Sequence, residues 1–318
     1  MTFSDVENAR LAFIEKKNKV KKKAIWIVLG VEFLFVLITV GVNIQAVQRV
    51  FANIDSNFTP MLIMPLLMLV VFMVILPAVV VAIVIAISTH DELTNYKKAY
   101  KGYFVERELN KTFSDIKYSH DAGLDENILA STGMIYTGDR YTSNDLTIGK
   151  YKNVNFAQAD VHMEEEYKDD DGDTHYRTIF LGRFMIFEFP KKFKSRMMLS
   201  HYGSPCGKSE GKLNFMETES VEFNKAFALY AEDGMEAFYI LTPDFMERVQ
   251  ELGRSHNDEV SIYFAENKMI VAINDGDDVF EPPSPSKPLD ENAEATKIAN
   301  EINLATNIVD NLKLSREV

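Results

Sequence analysis

The sequence predicts an α+β protein: two N-terminal transmembrane helices, then a cytosolic, mostly antiparallel β-rich domain with a few helices and a C-terminal helix. Three observations carry that class. Two long apolar stretches lie within the first 90 residues. Runs of strand-forming residues then alternate with Gly-, Asp- and Asn-bearing turns. The final segment repeats apolar residues at steps of three and four, the period of a helix face.

Residues 1–23 read as a basic cytosolic helix. Ser4-Asp5-Val6-Glu7 fits a capping box, and Leu11, Phe13 and Ile14 lead into Lys16, Lys17, Lys19, Lys21, Lys22 and Lys23. Residues 24–90 form a transmembrane hairpin with spans at 24–44 and 63–88. Met61 to His90 contains no formally charged residue, and Glu32 is the one charge within Ala24 to Val42. At ~1.5 Å per residue, either stretch covers a hydrocarbon layer of ~30 Å. Helices buried in a soluble core keep a polar face, which these lack. A cleaved leader is disfavoured by the length of the first stretch and by the want of a small-x-small cleavage site after it. Lysines precede the first span, and Lys97, Lys98 and Lys101 follow the second, whereas the connection between them carries only Arg49 and Asp55. Basic flanks stay inside, so the expected location is the inner membrane with both termini cytoplasmic. Asn57-Phe58-Thr59 matches a glycosylation sequon by chance, with Pro60 behind it. The lone Cys206 excludes an intramolecular disulfide and suits a reducing compartment.

Residues 91–110 form a connecting helix with Tyr96, Tyr100 and Phe104 on one stripe, and 111–281 an α+β domain. Within it, Val154–Tyr167 and His175–Phe189 are strands joined through KDDDGDT, with Asp171-Gly172 as the turn. Further strands are expected at Met197–Ser200, Leu213–Met216, Phe227–Tyr230 and Ala237–Leu241. A helix starts with Thr242 as N-cap, Pro243 at its first position and Asp244 at the positive dipole end, and stops at Gly253. A hairpin, Val260–Phe264 and Met269–Ile273, turns at Glu266-Asn267. Residues 282–289 are a Pro-rich linker too stiff for helix or sheet. Residues 290–318 form the C-terminal helix, with Ala295, Ile298, Ile302, Ala305, Val309 and Leu312 as a narrow stripe. That stripe packs back on the domain or forms a dimer seam.

The chemical motifs are few. His201 to Lys212, HYGSPCGKSEGK, imitates a phosphate loop, but Tyr202 stands where the first glycine belongs and strand-like LNFM follows where a helix is needed. It reads as a loop. DDDGD fails the EF-hand spacing: with Gly172 at loop position 6, Tyr167 and Thr178 fall where acids belong. His162 and His175 are candidates to face each other across the hairpin, as a solvent-facing pair rather than a metal site. No catalytic, cofactor-binding or metal-binding residue is assigned, and no cofactor is implied. With residues 1–90 set aside, 26 basic residues stand against 42 acidic ones, a net −16. That excludes a nucleic-acid partner, which needs a basic footprint.

Two features point to partners. Glu32 inside an apolar span costs about 2.5–3.5 kcal/mol, so it is a candidate assembly contact with a polar group on another subunit or membrane protein. The plainer reading is a polar residue tolerated near the interface. Two basic clusters, Lys19, Lys21, Lys22 and Lys23 near the first span and Lys191, Lys192, Lys194 and Arg196 in the acidic domain, are candidate contacts to membrane lipid or an acidic partner.

The blocks STGMIYTGDRY (Ser131–Tyr141), TIFLGRFMIFEFPKKF (Thr178–Phe193) and VEFNKAFALYAEDGMEAFYILTPDFMERV (Val221–Val249) resemble a family of bacterial two-span membrane proteins catalogued as a domain of unknown function. The resemblance covers most of residues 95–282, not the linker or terminal helix. It implies a bacterial membrane location and a cytosolic domain, and it brings no activity and no catalytic residues. The expected role is a membrane-anchored binding or regulatory module with a protein partner or a second copy of itself. The alternatives are a membrane-anchored enzyme whose site assembles from distant residues, and a small oligomeric transport or channel component using Glu32.

Overall fold

The structure is a computed structural model that describes residues 1–42, 75–113, 115–189, 192–201, 213–256 and 259–312. The whole connection between the two expected spans and the first half of the second span lie outside the described residues. So do Lys191, the loop from Tyr202 to Lys212 with Cys206, and residues 313–318. The described chain is α+β and divides into two units, one of residues 1–100 and 282–289, the other of 101–281 and 290–318.

The first unit is helical. α1 runs unbroken from Phe3 to Val42. It is capped two residues earlier than expected: the Asp5 N–H donates to Thr2 Oγ1 and the Thr2 N–H donates back to Asp5 Oδ2. Thr2 and Asp5, not Ser4 and Glu7, thus form the reciprocal cap. Glu7 instead pairs with Arg10. Pro77 sits in the first turn of α2, Leu76–Ser88, where its missing N–H costs nothing. α3 covers His90–Tyr100. α1 packs against both α2 and α3. The Pro-rich segment is not a free spacer. Arg10 donates to the Pro285 and Lys287 carbonyls, and Tyr96 to the Pro283 carbonyl. Among the described residues no single helix is long and apolar enough to cross a membrane; Leu76–Ser88 and His90–Thr112 pass that test only together, as a pair bent by 50°.

The second unit is built on one antiparallel sheet of nine strands. These are β1 Ile116–Ser119, β2 Arg140–Tyr151, β3 Val154–Lys168, β4 Thr174–Glu188, β5 Met197–His201, β6 Asn214–Met216, β7 Phe227–Ala231, β8 Val260–Ala265 and β9 Lys268–Ile273. They lie in the order β1-β2-β3-β4-β9-β8-β5-β7-β6. The expected β3–β4 and β8–β9 hairpins are present. Gly172 has φ 86° in the first turn and Glu266 φ 52° in the second. Asp169 accepts from the N–H groups of Asp171 and Asp173, so the acidic run is an exposed, self-capped turn.

Each strand sends alternate residues to opposite faces. Ala159, Val161 and Met163 of β3 join Phe180, Phe184 and Ile186 of β4 in one core, closed by Leu129 and Met134. α5, Glu126–Ala130, supplies Leu129. The other face carries Phe156, Gln158 and Asp160 opposite Phe187, Met185 and Arg183. Phe113 packs on Phe156 there, and Arg183 donates to the Glu301 carbonyl on the terminal helix. A π-helical turn, Lys101–Val105, leads into α4, Glu106–Thr112. The expected single connecting helix is thus interrupted.

Three short helices follow, α6 Val221–Ala226, α7 Gly234–Ile240 and α8 Pro243–Ser255, before the terminal helix. Thr242 caps α8 as predicted, though the helix passes Gly253 by two residues. The expected strand at Ala237–Leu241 is corrected. Asp233 accepts from the Met235 N–H and starts a helix, overriding the strand preference of Phe238, Tyr239 and Ile240. α9, Glu291–Asn311, is capped by Asp290 and buries Ile298, Ile302, Ala305, Ile308 and Val309. The stripe is wider than an a/d seam, since Leu304 and Ile308 are buried too.

Candidate functional site

The most unusual chemistry lies on the charged face of the sheet. Two residues of β2, Asp145 and Leu146, fit between the partners of Asn144 and Thr147, which pair with Asp160 and Gln158. That is a β-bulge, a device that re-aims a side chain. Asp145 sits there at φ 58°, a conformation aspartate tolerates better than most residues. The bulge keeps its backbone satisfied: the Asp145 N–H donates to the His120 carbonyl and the Leu146 N–H to that of Ala122.

The Asp145 carboxylate is buried and collects three donors. Lys101 Nζ lies 2.5 Å from Oδ2, Asn144 donates to Oδ2 at 2.7 Å, and the Tyr118 hydroxyl donates to Oδ1. Burial pushes Asp145 above the ordinary aspartate range, and Lys101 and Tyr118 work against that. Burial also opposes the charge on Lys101, but Asp145, Glu281 and Asp278 outweigh it and hold the ammonium above its usual range. Burial, with the Asp145 charge behind it, drives the Tyr118 phenol far upward, so Tyr118 serves as a donor.

Asp160 lies beside this group, opposite Arg183 in the β3–β4 register. Their nearest charged atoms are 3.7 Å apart, too long for a hydrogen bond. Arg183 donates through its two terminal nitrogens to the Glu301 carbonyl at 3.1 Å and the Glu301 carboxylate at 2.8 Å, while its Nε, the atom nearest Asp160, is buried without an acceptor. Burial raises Asp160 well above the ordinary range; Arg183 pulls against it, and Asp278 and Asp145 add to it. One carboxylate oxygen each of Asp145, Asp160 and Asp278 come within 4.8 Å of one another. Asp160 Oδ2, Asp278 Oδ1 and Gln158 Oε1 are buried acceptors without a hydrogen-bond donor. The cluster therefore joins carboxylates from β2, β3 and the segment after β9 with a lysine from a π-turn and an arginine from β4.

The residues singled out in the sequence do not converge there. Glu32 is half-buried on the same side of α1 as Ala24 and Val28, rather than among the exposed Val31, Phe33 and Leu34. Lys19, Lys21, Lys22 and Lys23 are exposed, as are Lys192 and Lys194. Arg196 is tied to Glu232 through its guanidinium and its backbone N–H. His162 and His175 do not face each other: His162 pairs with Leu181 in register, and His175 pairs with Tyr167 and contacts Asp169. The aspartate cluster itself is absent from the sequence reading. The available signal was a charge at an inward strand position in each of two apolar runs, Asp160 in NFAQADVHM and Arg183 in FLGRFMIF.

Residues 178–314 match the family described as "Protein of unknown function (DUF3137)". The match begins within β4 and includes α9, and so reaches past the expected resemblance into the linker and terminal helix; the Ser131–Tyr141 block lies outside it. No curated protein matches the sequence. Among solved structures, the crystal structure of the mycobacterial trehalose monomycolate transport factor A, TtfA, is similar over 70% of this chain and 97% of that one, at 9% identity and a TM-score of 0.35. A likeness of that size carries no argument here.

Proposed function

We propose that the chain is a membrane-anchored binding or regulatory module, with the α1–α2 pair as the anchor and the second unit on the cytoplasmic side. The observation that carries this is an inverted helix pair. Pro77, Val81 and Ile85 recur at steps of four on α2 and, with Ser88, are the less exposed residues of that helix. The outward positions are apolar and large: Trp26 is 74% exposed, Phe33 66%, Ile83 52% and Ile87 72%. Water does not tolerate a contiguous apolar surface of this kind, whereas acyl chains do. The exposed lysines at 19–23 continue α1 and suit an anionic, cytoplasmic leaflet.

A second reading, a membrane-anchored enzyme, draws on the buried aspartate cluster. Against it, Lys101, the amine of that cluster, is held protonated and so is no nucleophile.

Two measurements on the full chain in cells test the anchor. The protein should stay in the membrane pellet through alkaline carbonate extraction; release into the supernatant would sink the reading. Cys206, the single cysteine, should resist an impermeant maleimide in intact cells and react after permeabilisation. Labelling in intact cells would place the module on the wrong side.

A further inference from the structure

The charge balance of the buried cluster is incomplete. Asp145, Asp160 and Asp278 face two cations, Lys101 and Arg183, and those two are shared with further carboxylates. Glu281 lies 3.6 Å from Lys101 and Glu301 2.8 Å from Arg183. Asp275 draws on Arg183 as well: burial raises this carboxyl and the guanidinium pulls it back. Unpaired carboxylates in a low-dielectric layer are costly.

Unmatched buried polar atoms gather in this region: several acceptors and one donor, Arg183 Nε. Asp145 has already accepted three hydrogen bonds and keeps about one lone-pair position of its four. Asp160 is 4% exposed, and its Oδ2 has no donor. Asp278 Oδ1 has none either, and one carboxylate oxygen of Asp278 belongs to the set within 4.8 Å. The amide oxygen of Gln158, a residue 1% exposed and two positions from Asp160 on the same sheet face, is a fourth buried acceptor without a donor. Oxygens alone, some anionic and one neutral, are the donor set of a hard cation. Two oxygens on one calcium ion at 2.3–2.6 Å lie at most about 5 Å apart, so the observed spread is within reach of a single ion. Asp278 is half-buried, on the segment after β9, and gives the site an edge toward solvent.

We infer that Asp160 and Asp278, completed by Asp145, bind one hard divalent cation, with calcium the best match to the oxygen spacing. The ion joins β2, β3 and the segment after β9, and it supplies the positive charge that Lys101 and Arg183 leave short. Nothing in this depends on the membrane reading.

The competing acidic site is the exposed turn at Asp169–Asp173, whose Asp169 is already occupied by the Asp171 and Asp173 N–H groups and by His175. Full-length protein in detergent, stripped with EDTA, is titrated calorimetrically with MgCl2, MnCl2 and CaCl2 in turn. At least one should bind saturably at one site per chain and raise the unfolding temperature. Asp278→Asn, at a half-buried loop position, should weaken that binding at least tenfold, Asp160→Asn likewise, and Asp170→Asn with Asp171→Asn should leave it unchanged. The inference is overturned if the wild type binds none of the three saturably, if Asp278→Asn binds as tightly as wild type, or if the turn variant loses binding. Should Asp160→Asn not fold, Asp278→Asn against the turn variant decides alone.

Discussion

At the residue scale, the second unit depends on a charge network that sequence inspection cannot assemble. Lys101, Asp145, Asp160, Arg183 and Asp278 come from a π-turn, a bulge, two paired strands and a loop; Asp160 and Arg183 stand out as charges in apolar runs, but nothing in the sequence spacing joins them to the other three. The Lys101–Asp145 pair is the best formed part, with side chains 8% and 0% exposed. Removing one partner of a buried pair leaves the other uncompensated, at a cost of about 3–5 kcal/mol. Lys101→Met should therefore lower the stability of the detergent-solubilised chain by that order in urea unfolding. Adding Asp145→Asn should recover part of the loss, because asparagine tolerates the left-handed backbone at that position and carries no charge. If Lys101→Met were neutral, Asp145 would have to be compensated by Tyr118 and Asn144 alone.

At the element scale, legibility follows how local the determining physics is. The β3–β4 and β8–β9 hairpins were readable because alternation and turn residues act between neighbours in sequence. The Thr242–Pro243 start of α8 was readable for the same reason. β1 and β2 were not foreseen: Ile116–Ser119 and Arg140–Tyr151 are mixed in polarity and become strands by pairing on the edge of β3. The helix at Gly234–Ile240 was misread because its apolar residues favour strands and the deciding cap, Asp233, is one residue. Close approach between strands is equally invisible beforehand. At Gly182 an added Cβ would fall 2.0 Å from the Ile273 carbonyl oxygen, beside the first register pair of β4 and β9, Arg183 with Ile273. Backbone cannot step aside as a flexible side chain does. Gly182→Ala should therefore cost about 1–3 kcal/mol or more and lower hydrogen-exchange protection along β4 and β9, while β8 pairing with β5 stays protected. Uniform loss across the sheet, or none, would contradict this local account.

At the scale of the whole molecule, charge and apolar surface are segregated along the chain. Residues 1–60 hold eight basic and five acidic residues, whereas the part after residue 90 carries the acidic excess. The structure shows which of the flanking lysines are exposed and which are paired. Lys101, counted in sequence as a flank of the second span, is buried against Asp145 in the second unit and offers no charge to headgroups. Lys16 pairs with Glu92 at 2.6 Å. Lys19, Lys21, Lys22 and Lys23 are exposed on α1 immediately before the apolar stretch. With α1 at a membrane as proposed, a lysine near an anionic leaflet contributes about 1 kcal/mol, so these four would supply up to about 4 kcal/mol of lipid attraction and most of the orientation bias. Replacing all four by glutamate should invert or mix the topology, read as Cys206 becoming reactive to impermeant maleimide in intact cells. Replacing Lys192 and Lys194 by glutamate, in the acidic second unit, should not. If the four-lysine variant kept Cys206 protected, the basic run on α1 would not be the determinant of orientation, and Lys97 and Lys98 behind the second stretch would have to set it.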